Sequence, residues 1–190
     1  MSSDFAAARL NMVESQIRTA DVTDLPLQDA LRVVPRENLV PAGKGYLAYA
    51  DAEVEYAPGR ALMRPRDIGK LLQIIKPRAG EKALAIAAPY AAVVLETMGL
   101  AVTRLDGDDL AAVPGGEYDV IVCEGGVPKA PGAWTAALAL HGRLGVVERQ
   151  GPVGRATLYV RAEDGVGARA VFDSTPSLLA GFPVEAGFAF

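Results

Sequence analysis

Apolar residues along the first part of the chain recur at helical spacing. Phe5, Ala8, Met12, Val13 and Ile17 fall on one face, which predicts an amphipathic first helix. "DVTD" breaks it, and Asp24 is placed to cap a second short helix running through Val34. Pro35 and Pro41 punctuate a short helical or irregular stretch, and Tyr46–Gly59 reads as loop with one short strand. "RPRDIGKLLQIIKP" then sets Ile68, Leu71, Leu72 and Ile75 on one helical face, with Pro77 as its stop.

From Lys82 the pattern alternates. "KALAIA" is a short buried strand, "PYAAVVLETMGL" a helix ending at Gly99, "AVTRLD" a second strand and "YDVIVCE" a third. "PGAWTAALALHG" reads as a helix with Pro131 near its start and Gly142 just past its end, and "RLGVVER" as a fourth strand. Continuous Val/Ile/Leu runs separated by helices predict a mostly parallel sheet covered on both faces. "ATLYVRA", "ARAVFDS" and "VEAGFAF" have no helix between them, so they are expected to pair antiparallel at one edge. The expectation is one α/β domain over 1–190, with an N-terminal helical cap (1–80) on an alternating strand–helix core (81–190).

Composition narrows the function classes. Of 190 residues 51% are hydrophobic and 22% charged, a globular balance. The net charge of −4 with no basic run argues against a nucleic-acid partner. The lone Cys123 excludes an intrachain disulfide and a cysteine-based metal site, and no metal is expected. The start lacks a signal-peptide pattern and no apolar run is long enough to span a membrane, so a cytoplasmic protein without a membrane partner is expected.

In open α/β sheets ligands bind outside the carboxyl ends of the strands, where the first strand feeds a helix. Here that place is Ala87–Ala91, and the second strand ends in Asp106, an acidic group able to accept from both hydroxyls of a ribose. An adenosine cofactor is the default expectation of such a frame. Yet "ALAIAAPYAA" contains no glycine.

Taken in order, "MVESQIR", "VPREN-LVP", "LAYAD", "KPRAGEKALAI", "YDVIV", "GRLGVV" and the C-terminal strand pair resemble the protein-L-isoaspartate O-methyltransferase family. The resemblance covers nearly the whole chain. It implies a Rossmann-like fold binding S-adenosylmethionine, and methylation of the isoaspartyl carboxyl groups of damaged proteins as the start of their repair.

Three departures from that family stand out. Its cofactor loop has an acidic residue followed by three alternating glycines and a tyrosine; this chain offers Ala85, then Ala87, Ala88 and Pro89, and Tyr90. Glycine there supplies positive φ and close backbone approach. Second, the family's Gly-Gln-x-Ile-Ser/Thr-x-Pro segment aligns with "GRALMRP". Met63 stands at the catalytic hydroxyl position and Ala61 at a nearby polar one, so no catalytic residue is expected. Third, only "GDDLAAVPGGE" joins Asp106 to Tyr118. These residues are too few for a further parallel strand with its crossover, which needs about a dozen. One β-α unit is therefore expected to be missing, and with it a wall of the adenine site.

Ala87, Tyr90, Asp106 and Glu124 are the cofactor-binding candidates if binding is retained. Tyr90 at a helix start also reads as packing, and Asp106 as the polar end of a strand. Glu124, followed by two glycines, reads as exposed beyond the third strand. His141 reads as a solvated helix end and Cys123 as a small buried hydrophobe. Arg60 and Arg64 could attract a carboxylate, although loop arginines are usually solvated. Three functions stay open: a non-catalytic relative that has lost the cofactor and binds a protein; an active S-adenosylmethionine-dependent carboxyl methyltransferase; and a small-molecule sensor using the vacated pocket. The first is favoured because three parts of one site depart together, and no cofactor is expected. A helix missing from one sheet face would uncover apolar surface, so a homodimer or a protein partner is also expected.

Overall fold

The cap forms as the spacing requires. The computed structural model describes residues 2–182. In it α1 (Ser2–Met12) runs into a π turn (Val13–Ile17) and a 3-10 turn (Arg18–Ala20). Met12, Val13 and Ile17 are fully buried. α2 (Leu25–Val33) starts where the Asp24 carboxylate accepts from the Leu27 N–H at 2.9 Å. A two-stranded hairpin, β1 (Val54–Ala57) and β2 (Arg60–Leu62), replaces the single short strand expected there. α3 (Pro65–Ile75) buries Ile68, Leu71, Leu72 and Ile75 completely and ends at Lys76, ahead of Pro77.

Six strands follow: β3 (Lys82–Ile86), β4 (Ala101–Leu105), β5 (Tyr118–Val127), β6 (Leu138–Glu148), β7 (Arg155–Ala162) and β8 (Gly165–Asp173). Their order is β4-β3-β5-β6-β7-β8, with the first three pairings parallel and the last two antiparallel. That is the expected mostly parallel sheet with an antiparallel C-terminal edge. α4 (Pro89–Thr97) joins β3 to β4, and no helix or strand lies between Leu105 and Tyr118. β4 is left as an edge strand.

Alternation along β3 divides the interior. Ala83 and Ala85 face a cluster built with the helices α1 to α4, the methyls small enough for helices to approach. Leu84 and Ile86 face the other side, where α5 (Gly132–Ala136), the 106–117 crossing and the tail supply the cover. α3 packs on β6, where a Cβ on Gly145 would stand 2.8 Å from Ile75. The two faces are thus covered by different means, helices on one and mostly irregular chain on the other.

The expected helix from Pro131 to His141 is cut to five residues. Leu138 pairs with Tyr118, and β6 begins at once. His141, at φ 65°, lies within that strand rather than at a helix end, and Gly142 passes so close to the Ala139 and Tyr118 carbonyls that a Cβ would stand 2.8 Å from each. Strand pairing here overrides the helical propensity of an Ala/Leu-rich segment. The expected strand "VEAGFAF" lies outside the described residues. No helix among the described residues is long and apolar enough to cross a membrane.

Candidate functional site

At the carboxyl end of β3 the chain keeps the turn of a ligand loop without its glycines. Ala87 sits at φ 45°, left-handed backbone that normally favours glycine, and its N–H donates to the Leu105 carbonyl at 2.9 Å. Its own carbonyl accepts from the Tyr56 hydroxyl at 3.2 Å. Ala88 occupies the N-cap of α4 and offers no side-chain cap, while Pro89 opens the helix. Ala87, Ala88 and Tyr90 are all fully buried.

Glu124 departs most from its expected setting. β5 does not stop before it but continues to Val127, and its carboxylate is fully buried. Oε1 accepts from the Met63 N–H at 3.2 Å and Oε2 from the Ala91 N–H at 3.4 Å. Burial pushes this carboxyl up to about 7, against the opposing pull of Arg36 and of the Met63, Ala91 and Tyr90 N–H groups. Arg36, also fully buried, donates through Nε to the Ala48 carbonyl at 2.7 Å and through Nη2 to the Met63 carbonyl. Its guanidinium lies 4.6 Å from the centre of the Tyr90 ring. Burial lowers the Arg36 pKa and raises that of Tyr90.

Of the candidates, Ala87, Tyr90 and Glu124 come together around the start of α4, with Met63 fully buried beside them. Asp106 does not join them. It is exposed, and Arg60 donates to its carbonyl at 2.5 Å and to that of Gly107 at 2.6 Å. Arg60 thereby ties the hairpin to the end of β4, while Arg64 is exposed. Cys123 is buried, and burial raises its thiol pKa.

Three contributors had no signal of their own in the sequence. Arg36 lies inside "VPREN" as one charge among several, Tyr56 inside the hairpin, and Leu179 in the tail. Residues 174–182 cross the carboxyl ends of the strands as a strap. The Ser174 hydroxyl donates to Asp67 at 2.9 Å, Ser177 donates to Glu53 through N–H and hydroxyl at 2.9 and 2.8 Å, and Leu178 bridges to Gly126. Leu179 is buried in one cluster with Ile86, Ala87, Leu105, Leu110 and Cys123. A cavity of about 480 Å³ opens beside the strap, lined among others by Asp108, Leu110, Lys129 and Phe182; Ala87, Tyr90, Asp106 and Glu124 are not in its lining.

No protein-family model matches the chain. Individual relatives do. A protein-L-isoaspartate O-methyltransferase of Methylorubrum populi is 32% identical over 179 residues, covering 80% of this chain and 84% of its own. Protein-L-isoaspartate O-methyltransferase 1 of Rhodopseudomonas palustris is 30% identical over 171 residues, 75% of this chain and 70% of its own. The chain belongs to the protein-L-isoaspartate O-methyltransferase family. Solved structures agree on the fold of that family. One protein-L-isoaspartate O-methyltransferase superposes with a TM-score of 0.73 at 18% identity, covering 93% of this chain and 67% of its own. A Plasmodium falciparum chain assigned as a protein-L-isoaspartate O-methyltransferase, in complex with S-adenosyl-L-homocysteine, gives 0.72 at 15% identity, covering 90% and 97%.

Proposed function

We propose that this chain is a non-catalytic member of its family that has lost S-adenosylmethionine binding and acts by binding a protein. The observation that carries the reading is Leu179, buried in one closed cluster with Ala87 at the strand ends where the fold's ligand would lie. The buried Glu124 carboxylate adds to it, since it takes up the Met63 and Ala91 N–H groups. Asp106 turned to solvent and Met63 at the hydroxyl position also fit. With alanine methyls and a leucine in the crevice, the residues present do not fit an adenosyl cofactor.

An active methyltransferase acting on isoaspartyl carboxyl groups is the second reading. It is favoured by the left-handed turn kept at Ala87 and by the S-adenosyl-L-homocysteine complex of the Plasmodium falciparum relative.

Thermal melting with added S-adenosylmethionine separates the two. A ligand at about 100 times its dissociation constant stabilises by about 2.7 kcal/mol. In a chain of this size each kcal/mol moves the midpoint by about 2–4 °C. For an affinity of about 10 μM, millimolar cofactor raises the midpoint by roughly 5–10 °C. The expected result is no resolvable shift and no methyl transfer to an isoaspartyl peptide. A reproducible shift of several degrees, abolished by Asp106→Ala, restores the enzyme.

A further inference from the structure

The buried Glu124 carboxylate accepts from the N–H groups of two separate elements and lies in the field of a cation from a third. Met63 N–H comes from the link between β2 and α3, Ala91 N–H from the first turn of α4, and the Arg36 guanidinium from a 3-10 turn (Arg36–Leu39). Met63 ties them together, since its N–H donates to Glu124 while its carbonyl accepts from Arg36. The first turn of a helix presents N–H groups without intrahelical partners and favours negative charge. In α4, a helix of nine residues, no side chain at the N-cap meets that need, because the position is Ala88. The anion comes instead from a strand on the far side of the loop.

The seat also holds donors that nothing uses. Arg36 Nη1 and the Tyr90 hydroxyl are buried without a hydrogen-bond partner, and the two side chains stack on each other. Unpaired buried donors are costly, and a buried charge is tolerated only where its surroundings compensate it. A cluster with a guanidinium, helix N–H groups and two surplus donors is richer than one internal carboxylate requires. The titratable groups around Glu124 are Arg36 from the 3-10 turn, Tyr90 from α4 and Tyr56 from β1, while Cys123, the preceding residue of its own strand, packs on the opposite face of the sheet.

We propose that the Met63 and Ala91 N–H groups, with the Arg36 guanidinium as a nearby counter-charge fixed on the Met63 carbonyl, form a carboxylate-binding site, and that its occupant in this chain is the chain's own Glu124 acting as an intramolecular ligand. The proposal rests on the reading that the crevice is closed to outside ligands. It goes further by naming what fills the anion seat and by assigning the seat a ligand class. A Glu124→Ala variant loses the two carbons and two oxygens of an acetate and leaves the donors in place, so the emptied seat takes a free small carboxylate.

The test is thermal melting of Glu124→Ala, Glu124→Gln and the unsubstituted chain with millimolar acetate or formate, against chloride and acetamide at equal concentration. Glu124→Ala is expected to lose several degrees and to regain at least half of them with acetate or formate, but not with chloride or acetamide. Glu124→Gln, whose amide blocks the seat but supplies an acceptor for only one of the two N–H groups, and the unsubstituted chain respond to none. Adding Arg36→Met to Glu124→Ala abolishes the recovery. If Glu124→Ala is unfolded without additive, the same titration is read as recovery of the folded circular-dichroism signal. Equal recovery with chloride or acetamide, no recovery, or a Glu124→Ala variant as stable as the unsubstituted chain each overturns the proposal. A midpoint shift of the unsubstituted chain with S-adenosylmethionine sinks the cofactor-loss reading instead, whatever acetate does, so the two failures are told apart.

Discussion

Leu179 packs on the bare backbone of Gly125, so closely that a Cβ on residue 125 would stand 2.7 Å from Leu179 Cγ. Gly125 also holds φ 152°, which side-chain-bearing residues rarely adopt. The glycine that follows the buried carboxylate is therefore what lets the strap lie down over the strand ends.

Gly125→Ala is expected to lift that strap. Overpacking of this kind costs about 1–3 kcal/mol, before any backbone strain is added. Denaturant unfolding should register the loss, and limited proteolysis should cut between residues 174 and 182 faster than in the parent. A variant of unchanged stability and cleavage rate sinks the contact.

Glu124 gives the protein a pH dependence of known sign. Burial pushes its carboxyl up to about 7, with Arg36 and three N–H groups opposing. The folded state thus holds this proton more tightly than the unfolded chain. Its contribution to stability is full below the ordinary carboxylate range and is lost as pH rises through about 7. Between about pH 5 and pH 8 the parent's unfolding free energy should fall with pH more steeply than that of Glu124→Gln. Parallel profiles for the two proteins argue against the assignment.

Ala87→Gly is expected to be close to neutral. Relief of left-handed backbone returns about 1–2 kcal/mol. The lost buried methyl and the added freedom of the unfolded chain together cost a similar amount, about 1–2 kcal/mol. Ala85→Gly, buried in mid-strand, bears the second cost without the first and should lose about 1–2 kcal/mol. Comparable losses in the two variants count against strain at Ala87. On the proposed reading neither substitution confers S-adenosylmethionine binding, because Leu179 and Glu124 stay in place.

Asp24→Ala removes the acceptor for the Leu27 N–H and should destabilise the protein by about 0.5–2 kcal/mol, with Asp24→Asn recovering most of it. Chemical denaturation of the three proteins checks this. An alanine variant within error of the parent shows that the cap contributes nothing.

Helical faces and strand alternation were readable where local spacing dictates them. Ile68, Leu71, Leu72 and Ile75 face inward as spaced, Asp24 caps α2, and β3 divides its small and large residues between the two faces. The helix expected after Pro131 failed because the partner of Leu138 is Tyr118, and such pairing is not encoded in local propensity. Ala87, Tyr90 and Glu124 were recognisable as candidates from their place at strand and helix ends. The burial of Glu124 was not, since it follows from β5 running on to Val127 and from Arg36 and Met63 approaching from distant sequence. Gly125 reads in sequence as looseness; packed under Leu179 it is a requirement of close approach.

The strap's anchors also set an order of assembly. Ser174 reaches back 107 positions to Asp67, and Ser177 reaches back 124 to Glu53. Closing loops of that length costs chain entropy before any contact returns energy, so such pairings form late. The crevice should stand open in partly folded chains and be sealed only when the cap and sheet are already in place. In the finished protein the same stretch is the natural first piece to detach. Amide exchange should find residues 174–182 opening together with the β1–β2 hairpin, at a lower free energy than the strands beneath them.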